Sequence, residues 1–189
     1  AFQATAGNRP TLSARVNLLT YSEQFDNAAW SNTLNTVVTP NTTTAPDGTT
    51  TADTIGEGTA AGGHFVAPAL AILANSTYTV SVYAKNVTGN YLSLTIRGAP
   101  SNFSYALYDI NSGSVVTSSS QGTGFSVVST SIVSVGSGWY RCILTANTGS
   151  TVSSPNQIFG MSDGSAVTSS GFASYTGTSR TIYLWGADL

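Results

Sequence analysis

The feature that most constrains this chain is a recurrence of short runs in which apolar and polar residues alternate, each cut off by a turn-forming cluster. Runs of strand character span Val16–Tyr21, Thr36–Thr39, Thr51–Ile55, His64–Ala69, Thr77–Asn86, Asn90–Arg97, Tyr105–Ile110, Phe125–Val135, Trp139–Ala146, Gln157–Ser162 and Thr181–Trp185. Turn chemistry separates them at Pro46-Asp47-Gly48, Gly62-Gly63, Thr88-Gly89-Asn90, Asn111-Ser112-Gly113 and Gly136-Ser137-Gly138. No stretch keeps a 3.6-residue apolar period over three turns, and the one helical candidate is a short turn around Ser22–Trp30. Short strands joined by glycine-rich turns, without intervening helices, predict an all-β, antiparallel sandwich or barrel. No repeat of fixed period argues for a propeller or solenoid. The 189 residues suit one large β-domain. Residues 1–14, small, polar and interrupted by Pro10, read as a linker or the tail of an upstream segment, and 15–189 as the single domain.

The alternation also predicts which side of each strand is core. Tyr78, Val80, Val82 and Ala84 share one parity, with Thr79, Ser81, Tyr83 and Lys85 on the other. Leu92, Leu94 and Ile96 likewise oppose Tyr91, Ser93, Thr95 and Arg97, and Ile182 and Leu184 oppose Tyr183 and Trp185. With Leu107, the aliphatic members are expected in one core. The polar parity predicts one outward face carrying Tyr83, Lys85, Tyr91, Arg97, Tyr183 and Trp185. Trp30 is expected to plug one end of the sandwich, and the GWYR segment with Trp139 and Arg141 to be architectural.

Only 7% of the residues are charged, against roughly 25% in an average soluble protein, so Ser, Thr, Asn and Gly must keep the surface wet. That usage suits an extracellular or virion setting. The net charge is −2 and the six cations are dispersed from Arg9 to Arg180, which provides no electrostatic footprint for nucleic acid or an anionic membrane. No apolar run approaches the roughly 20 residues of a membrane span. The opening AFQATAGNRPTL lacks the basic and apolar regions of a leader and reads as the continuation of a longer polypeptide. A lone Cys142 leaves no internal disulfide framework.

Gly160-Met161-Ser162-Asp163-Gly164 matches the G-x-S-x-G pattern of a hydrolase nucleophile elbow, but no helical pattern follows it and the sole histidine, His64, lies upstream. Glycoside hydrolysis needs two carboxylates flanking one bond. The eight acids here are scattered, mostly at turns and strand ends, so binding is expected rather than catalysis.

Five segments in order, NLLTYSEQFDNAAW, APDGTTTAD, YTVSVYAKN, GWYRCILTA and IYLWGADL, resemble the carbohydrate-binding-module-like jelly-roll domains of phage tail and head-fibre proteins and of modular bacterial surface proteins. These are similar to carbohydrate-binding modules of the family 4/9/22 type. The likeness runs from about Asn17 to Leu189 and implies a two-sheet jelly roll that binds a polysaccharide or cell-surface glycan without altering it. Tyr83, Lys85, Tyr91, Arg97, Tyr183 and Trp185 are then the candidate carbohydrate-binding residues, because the apolar face of a sugar ring stacks on Tyr or Trp while its hydroxyls need hydrogen-bonding neighbours. The resemblance also implies a structural calcium ion (Ca2+), for which Glu23, Asp47 and Asp188 occupy the matching positions, although the last strand ends GADL where a double acid is common. The alternative is a structural or oligomerisation domain of a phage fibre or virion protein, a possible homo-oligomer whose same aromatics pack against neighbouring subunits.

Overall fold

A computed structural model describes residues 16–168 and 170–189; the expected linker, 1–14, lies outside the described residues. The described chain forms thirteen strands: β1 (Thr36–Thr43), β2 (Ala52–Glu57), β3 (Ala61–Gly62), β4 (Phe65–Val66), β5 (Thr77–Asn86), β6 (Tyr91–Ala99), β7 (Asn102–Asp109), β8 (Ser114–Gln121), β9 (Ser126–Gly136), β10 (Trp139–Asn147), β11 (Asn156–Ser162), β12 (Tyr175–Thr176) and β13 (Thr181–Asp188). They build a two-sheet antiparallel jelly-roll sandwich. One sheet has the order β1-β2-β13-β5-β10-β9, the other β4-β11-β6-β7-β8, and β3 and β12 make a small separate pair.

The core lies between the two large sheets. Val80, Val82 and Ala84 from β5, Leu92, Leu94 and Ile96 from β6, and Ile182 and Leu184 from β13 are fully buried in it. Truncating any of the larger ones should cost about 2–5 kcal/mol. Leu107 is buried too, but on the other side of β7: its neighbours Ala106 and Tyr108 point into the core cluster while Leu107 stands opposite Ser93 on the outward side. Trp30 plugs the sandwich as expected, buried against Phe25 and Phe159 and donating its indole N–H to the Tyr21 carbonyl at 3.0 Å.

Two elements differ from the pattern. Val16–Tyr21 is no strand; it is tied to the chain end by Leu18 N–H to Leu189 O and by Asn17, whose amide oxygen accepts from the backbone of Leu19 and Leu189. Residues 22–30 form a succession of turns rather than a helix. They are held in place by Asp53 of β2, whose buried carboxylate accepts the backbone N–H groups of Phe25 and Asn41, each at 2.9 Å.

Candidate functional site

The six predicted outward residues do not share a face. Tyr83 and Lys85 lie on β5 and Tyr183 and Trp185 on β13, side by side in the six-stranded sheet, with Trp185 opposite Tyr83 and Tyr183 opposite Lys85. Tyr91 and Arg97 lie on β6, in the five-stranded sheet. The chain crosses the core between β5 and β6, so the outward parities of the two strands point to opposite sides of the molecule. Parity fixes inside from outside; it does not say which sheet a strand joins.

On the six-stranded side, Arg141 of β10, Tyr83 of β5 and Trp185 of β13 form one cross-strand row. The Arg141 guanidinium stands 5.6 Å from the Tyr83 ring centre and the Tyr83 and Trp185 rings are 5.2 Å apart. Beside this row, Trp139 and Tyr183 lie 6.4 Å apart. Trp139 is buried and forms a small outward cluster with Ala45 and Ala52, against which Tyr83, Tyr183 and Trp185 are half-buried. Trp185 donates its indole N–H to Thr51 Oγ1 at 2.9 Å, which fixes the ring orientation. Sequence reasoning set Trp139 and Arg141 aside as architectural. Both belong to the same outward parity as Tyr83 and would have been found by continuing the alternation into the GWYR segment.

Two clefts border these rings. A groove of about 590 Å³ runs past Arg141, Ile143, Tyr78, Thr79, Thr145 and Asp188. Its guanidinium donates to Ser81 Oγ and stands 3.7 Å from the Asp188 carboxylate. A second cleft of about 430 Å³ lies between the 43–48 loop and the 135–138 turn, with Lys85 and Trp139 in its lining. Lys85 has no ion pair among the described residues. The face is therefore a strip of aromatic rings with one cation at each border.

The five-stranded side is roofed. A Cβ built on Gly164 would touch the Tyr91 ring, and one on Gly171 would touch Arg97, Thr95 and Phe103. Phe172 packs on Phe65 at 5.1 Å. Thr95 and Phe103 beneath it are buried, and so are Tyr105 and Leu107 on the same side of the sheet. Burial pulls the Arg97 guanidinium below its ordinary pKa, and its Nε finds no hydrogen-bond partner among the described residues.

The roof returns to the sandwich at a charged anchor. Glu57, at the end of β2, has a fully buried side chain and accepts from Tyr175 Oη at 2.6 Å, Thr178 N at 2.7 Å and Arg180 Nε at 2.8 Å. Burial alone would raise the Glu57 carboxyl, but the Arg180 guanidinium and these hydrogen bonds hold it at about 2. Asp53, on the same strand, is raised instead: burial dominates the two backbone N–H bonds that favour its charge. The anchor also needs Gly177, where a Cβ would collide with the Gly58 carbonyl. His64 is buried beside it, its ring 4.6 Å from Tyr175 and its Nδ1 3.1 Å from the Asn35 carbonyl.

The three acids matched to calcium are not gathered. Asp47 is exposed and accepts from Thr49 N and Oγ1 within its own turn, which lowers its pKa. Asp188 faces Arg141, and Glu23 lines a polar pocket with Asp26 and Asn41. Among the described residues no group of three His, Cys, Asp or Glu is placed to hold a metal. Ser162 of the G-x-S-x-G segment ends β11, donates to Ser165 O and accepts Gly164 N–H, with no helix after it. Among the described residues no helix is long and apolar enough to cross a membrane.

No protein-family model and no curated protein sequence matches the chain.

Proposed function

We propose that the outward face of the six-stranded sheet binds a carbohydrate without altering it, and that the chain is a module that attaches a larger extracellular or virion protein to a polysaccharide or cell-surface glycan. The observation that carries this reading is the Arg141–Tyr83–Trp185 row with a groove on one side and the Lys85 cleft on the other. Half-buried rings offer flat apolar area to the C–H face of a sugar, and the Thr79, Thr145, Arg141 and Asp188 side chains of the groove offer partners for its hydroxyls. The two cations favour an acidic or sulfated sugar, through charge-assisted hydrogen bonds to its carboxylate or sulfate. Tyr91 and Arg97, on the roofed face, take no part.

A single shallow site of this kind binds weakly, because a polar ligand offers little area to offset the cost of association. Several copies on one parent protein restore tight attachment through effective concentration. Retention on gels of neutral and acidic polysaccharide tests the reading. Trp185→Ala and Tyr83→Ala should each abolish retention, with Tyr91→Ala unchanged. Equal retention by all four proteins would remove this face as the site. A collapse of folding in both ring variants would favour the second reading, in which the rings serve a structural domain.

A further inference from the structure

We propose that β9 is a self-pairing edge, through which two copies of this chain join their six-stranded sheets into one continuous sheet. A bare strand edge presents unpaired N–H and C=O groups, and proteins guard such edges with charge, proline or a covering segment. One side of this sandwich is guarded. β1 carries Pro40 within it, and β4 is covered by the preceding segment, through bonds from Asn32 N–H to Ala67 O and between Leu34 and Phe65 in both directions. On the other side lie β8 and β9, the outermost strands of their sheets. Between Asp109 and Arg141 the sequence holds no charged residue and no proline, and no other described segment pairs with either strand.

Of these two edges, β9 is the one suited to a second copy. It is eleven residues long, and its bulges fall near its ends, leaving Ser129–Ser134 in regular register with β10. An antiparallel pair related by a twofold axis through Ser131 sets Ser131 against itself, Thr130 against Ile132 and Ser129 against Val133. Such a contact is isologous and must be self-complementary; here no charge opposes a like charge, and Ser131 meets its own hydroxyl across the axis. Val133, within the paired stretch, is 51% exposed, so pairing also removes apolar surface from water. The regular part of β8, Thr117–Gln121, has no aliphatic residue to bury. Five residue pairs make a small interface by the standards of stable dimers, so the dimer should be weak and concentration-dependent.

The geometry has a consequence that rests on the glycan reading. The twofold axis stands perpendicular to the sheet, so both Tyr83–Trp185 faces look to the same side. The two Tyr83-bearing strands are separated by five strand spacings, about 24 Å, which places two sites within reach of one polysaccharide chain.

Sedimentation of the purified chain over a concentration series tests the pairing without any sugar. A reversible monomer–dimer equilibrium is expected, shifted to monomer by Val133→Lys at an unchanged melting temperature. A monomer at every concentration up to about 1 mM, or a dimer that Val133→Lys leaves intact, overturns the proposal. Cysteine pairing locates the contact independently of stability. Ser131→Cys should oxidise rapidly to a linked dimer, since residues facing each other across an antiparallel pair lie within disulfide reach, whereas Ser118→Cys on β8 and Val37→Cys on β1 should remain monomeric. Faster linkage at either control position would place the contact on another edge and sink the assignment to β9. If the chain dimerises as stated yet no polysaccharide is retained, the glycan reading fails and the pairing stands.

Discussion

The two outward faces of the sandwich are made of similar residues and differ in what lies over them. Tyr91, Thr95 and Arg97 on β6 face a roof that includes Gly164, Gly171 and Phe172. Tyr83, Tyr183 and Trp185 on β5 and β13 are met at one border by the 43–51 loop, through Ala45 and Thr51, and stay half-buried. The same strand chemistry thus yields a second buried layer on one side and a half-open aromatic strip on the other. Strand parity puts a ring on the outside of a sheet; a loop decides whether that outside is solvent.

The comparison is most easily broken at the anchor of the roof. Glu57→Ala would leave Arg180 without the carboxylate that receives its guanidinium and would strip Tyr175 and Thr178 of their acceptor. Removing one partner of a buried pair of this kind costs about 3–5 kcal/mol, the largest effect expected here. Chemical denaturation gives the loss, and hydrogen exchange gives its location. Amides of 170–180 should lose protection first, while those of β5 and β13 keep theirs until global unfolding. Uniform deprotection would mean that the roof and the sandwich unfold as one unit.

Acid should reach the same anchor without a mutation. The Glu57 carboxyl is held at about 2 against an ordinary value of 4.5, so the folded state binds its proton more weakly than the unfolded chain does. Its stabilisation is complete above the ordinary range and is lost as the pH falls from about 4.5 towards 2, an effect of about 3 kcal/mol when fully expressed. Asp53 has the opposite sign: its raised pKa means the folded state takes up a proton more readily, so acidification favours rather than penalises that site. A melting series from pH 6 to 2.5 on wild type and Glu57→Gln should show the acid-dependent loss in wild type and a flatter profile in the variant. Parallel profiles would assign the acid sensitivity to other groups.

How far the sequence could be read follows from what each residue had to say locally. The alternation in Thr77–Asn86, Asn90–Arg97 and Thr181–Trp185 located β5, β6 and β13 within a few residues and sorted inward from outward side chains, because a half-buried strand writes its two faces in alternate letters. β8 left no such trace: SVVTSSSQ is exposed along most of its length, so nothing forces apolar residues onto one parity. Val16–Tyr21 showed strand letters but borders the chain end rather than a ladder. The site was half legible. Tyr83, Lys85, Tyr183 and Trp185 came together, whereas Tyr91 and Arg97 went to the opposite face because the sheet to which β6 belongs is set by long-range pairing with β7 and β11. Glu57 and Asp53 gave no signal, since a buried carboxylate is recognisable only from partners distant in sequence.

The open face can be tested directly. Trp185→Ala removes a half-buried ring and its hydrogen bond to Thr51, for a loss of about 1–2 kcal/mol, smaller than that at the anchor. Polysaccharide retention should nevertheless disappear, while Tyr91→Ala, under the roof, should lower stability and leave retention intact. Loss of retention in Tyr91→Ala at a temperature where it remains folded would contradict the division between the two faces.

The smallest expected effect on stability lies in the Arg141–Asp188 pair, and it sharpens the comparison most. The two groups are 3.7 Å apart with side chains 35% and 46% exposed, and an exposed pair at that distance contributes only about 0–1 kcal/mol because water and salt screen it. Asp188→Asn should therefore barely move the melting temperature. It does change the field over the strip, because the guanidinium above Tyr83 loses the Asp188 carboxylate beside it and keeps its bond to Ser81. An acidic polysaccharide should then be retained more strongly, and the gain should shrink as salt is added, since the added attraction is between screened charges. A neutral polysaccharide should show no gain. Equal gains for both polymers would mean that Asp188 acts by blocking the groove rather than by charge, and a loss for both would make its carboxylate a direct acceptor for sugar hydroxyls.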